Sequence, residues 1–237
     1  MKILTAKEIK RFVLGIVLTD GHIDVAKKRF DMYCKDEAYL RHVYNVLTQI
    51  SQMKVTLKVK EDKRGYVGWR LWTAGHVYWE KMARYTYDGR KVLTPYAVSR
   101  IDARCLAAMW AADGYMEHAK NRNIDKCQNI GWFCLEAFTQ PEQQLMVDHL
   151  RNEFGINSRI VSVRWGFGTR IKISGMDLQK LCSLLYPEMH ESFMYKLVLY
   201  YKSRDNADMS LPKAEHFIVL YDGIEDIVRH SLKKETT

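Results

Sequence analysis

The sequence predicts an α+β protein built from two pseudo-symmetric copies of one αββαββα unit, with paired central helices and two antiparallel sheets. Three observations carry this expectation. Two apolar helical stretches, LGIVLTDG (14–21) and LAAMWAADG (106–114), end alike on Asp-Gly, with Asp20 and Asp113 standing 93 positions apart. Each is followed by a long stretch that alternates apolar and polar residues with a central turn, the period of a β-hairpin. Each hairpin is in turn flanked by helix-period segments.

The elements follow in order. After Gly21, short strand-like pieces cover His22 to Ala26 and Arg29 to Lys35. A helix is expected from Asp36 to Ile50, with Leu40, Val43, Tyr44 and Leu47 on one face and Asp36 as N-cap. KVTLKVKEDKRGYVGWRLWTAG (54–75) is the hairpin, turning near Lys63 to Gly65, and a third helix runs from His76 to about Tyr87. In the second half, strands surround Tyr115 and Asn129 to Ala137. Gln140 to Phe154 is a helix with Pro141 in its first turn and Gly155 at its end. SRIVSVRWGFGTRIKISG (158–175) is the second hairpin, and Asp177 to Leu185 is helical. The repeats are therefore placed at residues 1–92 and 93–202, joined through a polar stretch, Asp88 to Ser99. Residues 203–237 form a tail with a helix expected from Ala214 to Leu232.

Composition narrows the function. Of 237 residues 47% are hydrophobic and 12% aromatic, which is globular rather than disordered. Lys and Arg outnumber Asp and Glu by 37 to 28, and a surplus of +9 suits a polyanionic partner. The five cysteines form no C-x-x-C pair and no signal peptide precedes them. Reduced thiols in a prokaryotic or phage-host cytoplasm, or an organelle matrix, are expected, and not secretion. The apolar run Phe12 to Leu18 falls far short of the ~20 residues of a membrane span.

The Asp-Gly pairs pose an electrostatic problem. A helix C-terminus carries roughly half a negative charge, so an acid there costs about 0.3–1 kcal/mol unless something positive sits beside it. Small residues at Gly15, Ala107, Ala108, Ala111 and Ala112 let the two helices approach closely, with Gly15 and Ala108 at the interface. Side by side, the helices bring Asp20 and Asp113 together at two negative helix ends. A proton or a cation must then neutralise the site. A hard divalent ion such as Mg²⁺ takes the carboxylate and carbonyl oxygens this corner supplies.

VLGIVLTDG (13–21) and LAAMWAADG (106–114) resemble the two copies of the motif that names the LAGLIDADG homing endonucleases, and the repeat pattern over roughly residues 8–200 resembles the single-chain, two-repeat members. The resemblance implies a monomer encoded by a mobile element and active in intron homing. Its two sheets would form a saddle over a long double-stranded DNA target, cutting both strands across the minor groove to leave 3′ extensions. It implies Asp20 and Asp113 as metal-binding catalytic acids, with the backbone of Gly21 and Gly114 near the metals. Lys91 and Lys196 resemble the basic residues that family members place near each scissile phosphate; Arg90 competes with Lys91. The sequence departs from the motif at Leu18 and Ala111, where the name has its first Asp, and at Ala108, where it has Gly.

The hairpins give an independent check on DNA. Lys54, Thr56, Lys58 and Lys60 share one strand face, with the apolar Val55, Leu57 and Val59 on the other, and Arg170, Lys172 and Ser174 share the matching polar face of the second hairpin, with Arg29, Arg70 and Arg164 joining them. Basic faces in corresponding hairpins suit two sheets lying in successive major-groove segments. Trp69, Trp72 and Trp79 are expected beneath the first sheet. No H-x-x-x-H or H-E-x-x-H spacing suggests a zinc hydrolase. The competing reading on the same fold is an RNA maturase, with intron RNA as partner, or a DNA-binding regulator with little or no cleavage.

Overall fold

The computed structural model describes residues 3–61, 65, 67–120, 127–163 and 168–197. Arg164, the hairpin turn around Lys63 and the helix expected at Ala214 to Leu232 lie outside the described residues.

The first unit runs α1 (Ala6–Leu18), β1 (His22–Asp24), β2 (Arg29–Cys34), α2 (Glu37–Leu47), β3 (Val55–Glu61), β4 (Val67–Thr73) and α3 (Val77–Thr86). The second repeats the order as α5 (Ala103–Asp113), β7 (Gly114–Lys120), β8 (Cys127–Phe133), α6 (Gln140–Phe154), β9 (Arg159–Ser162), β10 (Thr169–Ser174) and α7 (Gly175–Leu185). Each unit forms a four-stranded antiparallel sheet, ordered β1-β2-β4-β3 and β7-β8-β10-β9. The registers coincide. Across the first sheet His22, Asp31, Trp72 and Thr56 stand in line, and across the second Tyr115, Trp132, Lys172 and Arg159. Arg70 and Arg170, two residues before Trp72 and Lys172, therefore hold equivalent positions.

Local chemistry starts the helices. Thr5 and Glu8 form a capping box on α1, and the Asp36 carboxylate accepts from the Tyr39 N–H at 2.6 Å to start α2. The sheets back onto helices through an apolar layer: Phe30 stacks on the fully buried Trp79 at 4.8 Å, and Trp110 meets Phe133 edge-on at 4.7 Å. Between the units, α1 and α5 lie side by side. A Cβ on Gly15 would stand 2.5 Å from the Cys105 carbonyl oxygen and 2.7 Å from the Ala108 Cβ, so the backbones approach as closely as sterics allow.

The structure differs from expectation in three places. The joining stretch is not simply a polar connector. It holds a two-residue ladder, β5 (Tyr87–Asp88) with β6 (Arg90–Lys91), turned by Gly89 at φ +67°, and a short helix α4 (Pro95–Val98) capped by Thr94. Trp72 does not lie beneath the first sheet. Leu71 and Thr73 take the buried face, and strand alternation turns Trp72 outward beside Arg70. Finally, Val59 is 56% exposed, because the β3–β4 hairpin extends past the end of the core.

Candidate active site and nucleic-acid interface

Helix α1 stops at Leu18, one turn-residue short of the acid. Thr19 folds its hydroxyl back to the Gly15 carbonyl at 2.9 Å, and the Gly21 N–H closes on the Ile16 carbonyl at 2.7 Å. A Cβ at Gly21 would meet the Phe30 ring at 2.4 Å, and one at Gly114 the Trp110 side chain at 2.3 Å. Glycine is thus required where each chain leaves its helix and turns into its sheet. Both turns put the preceding carboxylate at the helix tip, and α5 ends on Asp113 itself.

The helix ends have a positive partner, and it is lysine. Lys91 Nζ donates to the Thr19 carbonyl, and Lys196 Nζ donates to the carbonyls of Ala111 at 2.7 Å and Ala112 at 3.3 Å. Cations on terminal carbonyls offset the negative end of each helix. Different elements deliver the two lysines. Lys91 rides on the β5–β6 turn, which Glu142 fastens by accepting from the Leu93 N–H at 3.0 Å and pairing with Arg90 at 2.7 Å. Arg90 is committed to that ion pair, and Lys91 is the residue that reaches the acids. Lys196 comes from a 3-10 segment, Glu191–Leu197, whose Lys196 carbonyl accepts from the buried Trp110 indole at 3.1 Å.

Asp20, Asp113, Lys91 and Lys196 form one electrostatic cluster, with each lysine acting on both acids. Burial raises the Asp113 carboxyl to about 7, with the Asp20 charge adding to the rise and both lysines opposing it. Asp20 keeps an exposed edge, yet burial around its carboxyl raises it too, against the pull of Lys91 and Lys196. Burial lowers both lysines, and the acids hold them up. Two carboxylates that resist losing their protons suit a site built to receive a cation.

The raised pKa has a consequence for stability. Unfolded, Asp113 titrates near 3.8; folded, near 7, so the native state binds its proton more tightly. Stability is therefore lost as pH rises from about 4 to 7, and the full penalty applies above 7. Asp113→Asn removes the ionisation. In metal-free denaturant melts the variant should exceed the parent by about 2–4 kcal/mol at pH 8, a gain that shrinks towards pH 4. An equal difference at both pH values would mean that the acid is not crowded.

The strand faces turned away from the helices carry the anticipated basic residues. Lys54, Lys58 and Lys60 are exposed, Thr56 is half-buried, and Arg29, Arg70, Arg170, Lys172 and Ser174 are partly exposed. Sequence reasoning missed their counter-charges. Asp31 takes Arg70 through Nε, at 3.0 Å to each carboxylate oxygen, and Glu136 pairs with Arg170, which also reaches the Tyr115 hydroxyl at 3.2 Å. Equivalent arginines in both units are thus held in place by acids. It missed the aromatic surface as well. Lys172 lies over Trp132 at 5.7 Å and Arg70 over Trp72 at 5.7 Å, so each sheet presents an indole beside a cation. Alternation from Phe30 and Met32 would have put Asp31 on this face; Glu136 lies beyond the end of β8, where no pattern points to it.

Among the described residues, no group of three or more His, Cys, Asp or Glu side chains converges as a metal cage, and no helix is long and apolar enough to cross a membrane. Comparison with known proteins fits this architecture. The fold is similar to that of the homing endonuclease I-WcaI bound to its DNA recognition sequence, with TM-score 0.68 and 22% identity over 83% of this chain and 88% of that one. It is also similar to full-length DUF199/WhiA from Thermatoga maritima, with TM-score 0.50 and 12% identity over 100% of this chain and 70% of that one. No curated protein matches the sequence. Residues 10–181, which take in both Asp-Gly helices and both sheets, match the profile of the LAGLIDADG DNA endonuclease family, and the chain belongs to that family.

Proposed function

We propose that the protein is a site-specific homing endonuclease that works as a monomer and makes a metal-dependent double-strand break, leaving 3′ extensions. The observation that carries this reading is the cluster at the helix tips: two acids with raised pKa, each helix end bearing one lysine. The donor set fits a hard divalent cation such as Mg²⁺, since Asp20 and Asp113 offer carboxylates and the turns at Gly21 and Gly114 offer backbone carbonyls. With only two acids at hand, water and phosphate oxygens would complete the coordination. When bound, the cation supplies Lewis-acid charge and an activated water for phosphodiester hydrolysis.

The chain's own residues do the rest. Lys91 and Lys196 place fixed positive charge beside the acids, where negative charge grows on the phosphate during cleavage. Lys54, Thr56, Lys58, Lys60, Arg29 and Arg70 on the first sheet, with Arg170, Lys172 and Ser174 on the second, hold the duplex, together with Arg164, which lies outside the described residues. Phosphate contacts set its position and register, and base-edge contacts read its sequence. I-WcaI, which shares the fold, is bound to its DNA recognition sequence. Four free thiols among the described residues suit a reducing compartment, a cytoplasm or organelle matrix.

Selection for cleaved sites from a plasmid library with Mg²⁺ tests the reading. Linear product from a defined sequence is expected. Specific duplex binding without cutting would favour the regulator, and binding to a structured intron RNA instead would favour the maturase. Duplex affinity should also fall by about 10³–10⁵ between 50 and 200 mM salt, the signature of ~6–10 phosphate contacts. A nearly flat salt response in filter binding would remove the basic faces from the interface.

A further inference from the structure

A second basic concavity lies at the opposite end of α1. Helices α1 and α3 and the α4 region enclose a cleft of about 670 Å³ lined by Lys7, Lys10, Arg11, Lys81, Arg84 and Arg100, with no acid in the lining. Tyr78, Tyr85 and Tyr96 add aromatic surface to the lining. The lining residues repeat at i, i+3, i+4 and i+7 on both long helices, so one face of each is given over to the cleft. From Lys7 to the end of α1 the helix runs ~16 Å, and the acids lie beyond that end. The cleft is lined from α1, α3 and the α4 region and by none of the strand residues assigned to the duplex.

Two features suit the cleft to an anionic ligand with flat, stacking groups. Arg11 and Arg84 have acid partners, in Asp102 at 3.6 Å and Glu80 at 3.0 Å. Lys7, Lys10, Lys81 and Arg100 are exposed and pair with no carboxylate among the described residues. The Tyr78 hydroxyl is buried with no hydrogen-bond partner. Tyr96, 52% exposed, meets Tyr85 edge-on at 5.1 Å and carries the Arg100 guanidinium at 4.1 Å.

We propose that this cleft binds a single-stranded segment of nucleic acid, separately from the duplex on the sheets. Cations along a groove follow a phosphate backbone, while tyrosine rings and an arginine plane offer stacking surfaces that bases in a duplex do not need. The volume falls in the ~300–1,000 Å³ range of small-ligand clefts, room for a nucleotide. This site stands independently of the cleavage reading, and either can fail alone.

Fluorescence anisotropy of the full chain with labelled oligo(U), oligo(dT), inorganic polyphosphate as competitor, and a random-sequence duplex tests it. Binding of either single strand supports the proposal, and the tighter of the two identifies the sugar preferred. The triple variant Lys7→Glu/Lys10→Glu/Lys81→Glu should weaken single-strand binding at least about tenfold and leave duplex binding unchanged. Tyr96→Ala should cost about tenfold for the single strand and nothing for polyphosphate. Lys58→Glu/Lys172→Glu on the sheets should do the reverse, losing duplex and keeping single strand. Failure of both single strands to bind, equal loss of single strand and duplex in the triple variant, or indifference to Tyr96→Ala would overturn it.

Discussion

Asp20→Asn and Asp113→Asn should each abolish double-strand cleavage, by about 10³-fold or more, while duplex binding stays within about threefold of the parent. Asparagine keeps the shape and one acceptor but removes the negative charge that holds a divalent cation. Binding is expected to survive because the residues we propose to hold DNA lie on the strand faces, on Lys58, Lys60, Arg170 and Lys172, and not at the helix tips. If anything, removing one acid from a cluster facing phosphate eases repulsion. The assay is a supercoiled plasmid carrying the selected site: the linear product should vanish, and at most a nicked circle remain. Full linearisation by either variant would remove the acid from the chemistry. The two readouts must also separate from stability, because Asp113→Asn is expected to stabilise the metal-free fold at pH 8. A variant that melts higher, binds equally and does not cut cannot be explained by unfolding.

Most of the scaffold was legible because its signals are local. Hydrophobic period marks the strands, Asp36 sits where an N-cap must, and Pro141 and Gly155 bracket α6 as a helix start and stop do. The paired acids were legible through repetition, since one apolar helix ending in Asp-Gly says little and two at a domain-sized step say much. What could not be read depends on contacts between distant residues. The ladder at Tyr87–Lys91 is too short to show periodicity, and it is fixed by Glu142, some fifty positions on. Lys196 reaches the tip of α5 from a 3-10 turn whose place is set by the Trp110 indole. The electrostatic puzzle at the helix ends pointed to a proton or a cation on the acids, and gave no sign that lysines would cap the helix carbonyls. In the structure two lysines take the terminal carbonyls, and the carboxylates are the groups we propose for a cation. The direction of Trp72 was misjudged for a related reason: an aromatic residue in a strand suggests a core, and only alternation from Leu71 shows that its ring faces out.

Gly15→Ala carries the second large effect, and two opposing forces decide its sign. In a solvent-exposed helix this change gains up to about 1 kcal/mol, because glycine is the poorer helix former. Here the new methyl would stand 2.5 Å from the Cys105 carbonyl oxygen and 2.7 Å from the Ala108 methyl. The first neighbour is backbone in the first turn of α5 and has no rotamer to change, so α1 and α5 must part by a few tenths of an ångström. Overpacking of this kind costs typically 1–3 kcal/mol and occasionally more, so a net loss of about 2 kcal/mol is expected in urea melts. Adding Ala108→Gly removes one of the two collisions and should recover part of the loss, leaving the share that belongs to the Cys105 oxygen. Function should suffer beyond stability. The same separation moves Asp20 relative to Asp113, and reactions held by geometry lose rate steeply with displacement, by as much as ~10²-fold for an ångström. Cleavage should therefore fall more than duplex affinity, at temperatures where the variant is fully folded. A Gly15→Ala melt at or above the parent would show that the helices separate without cost, and the close packing that brings the two acids together would have to come from elsewhere along the pair.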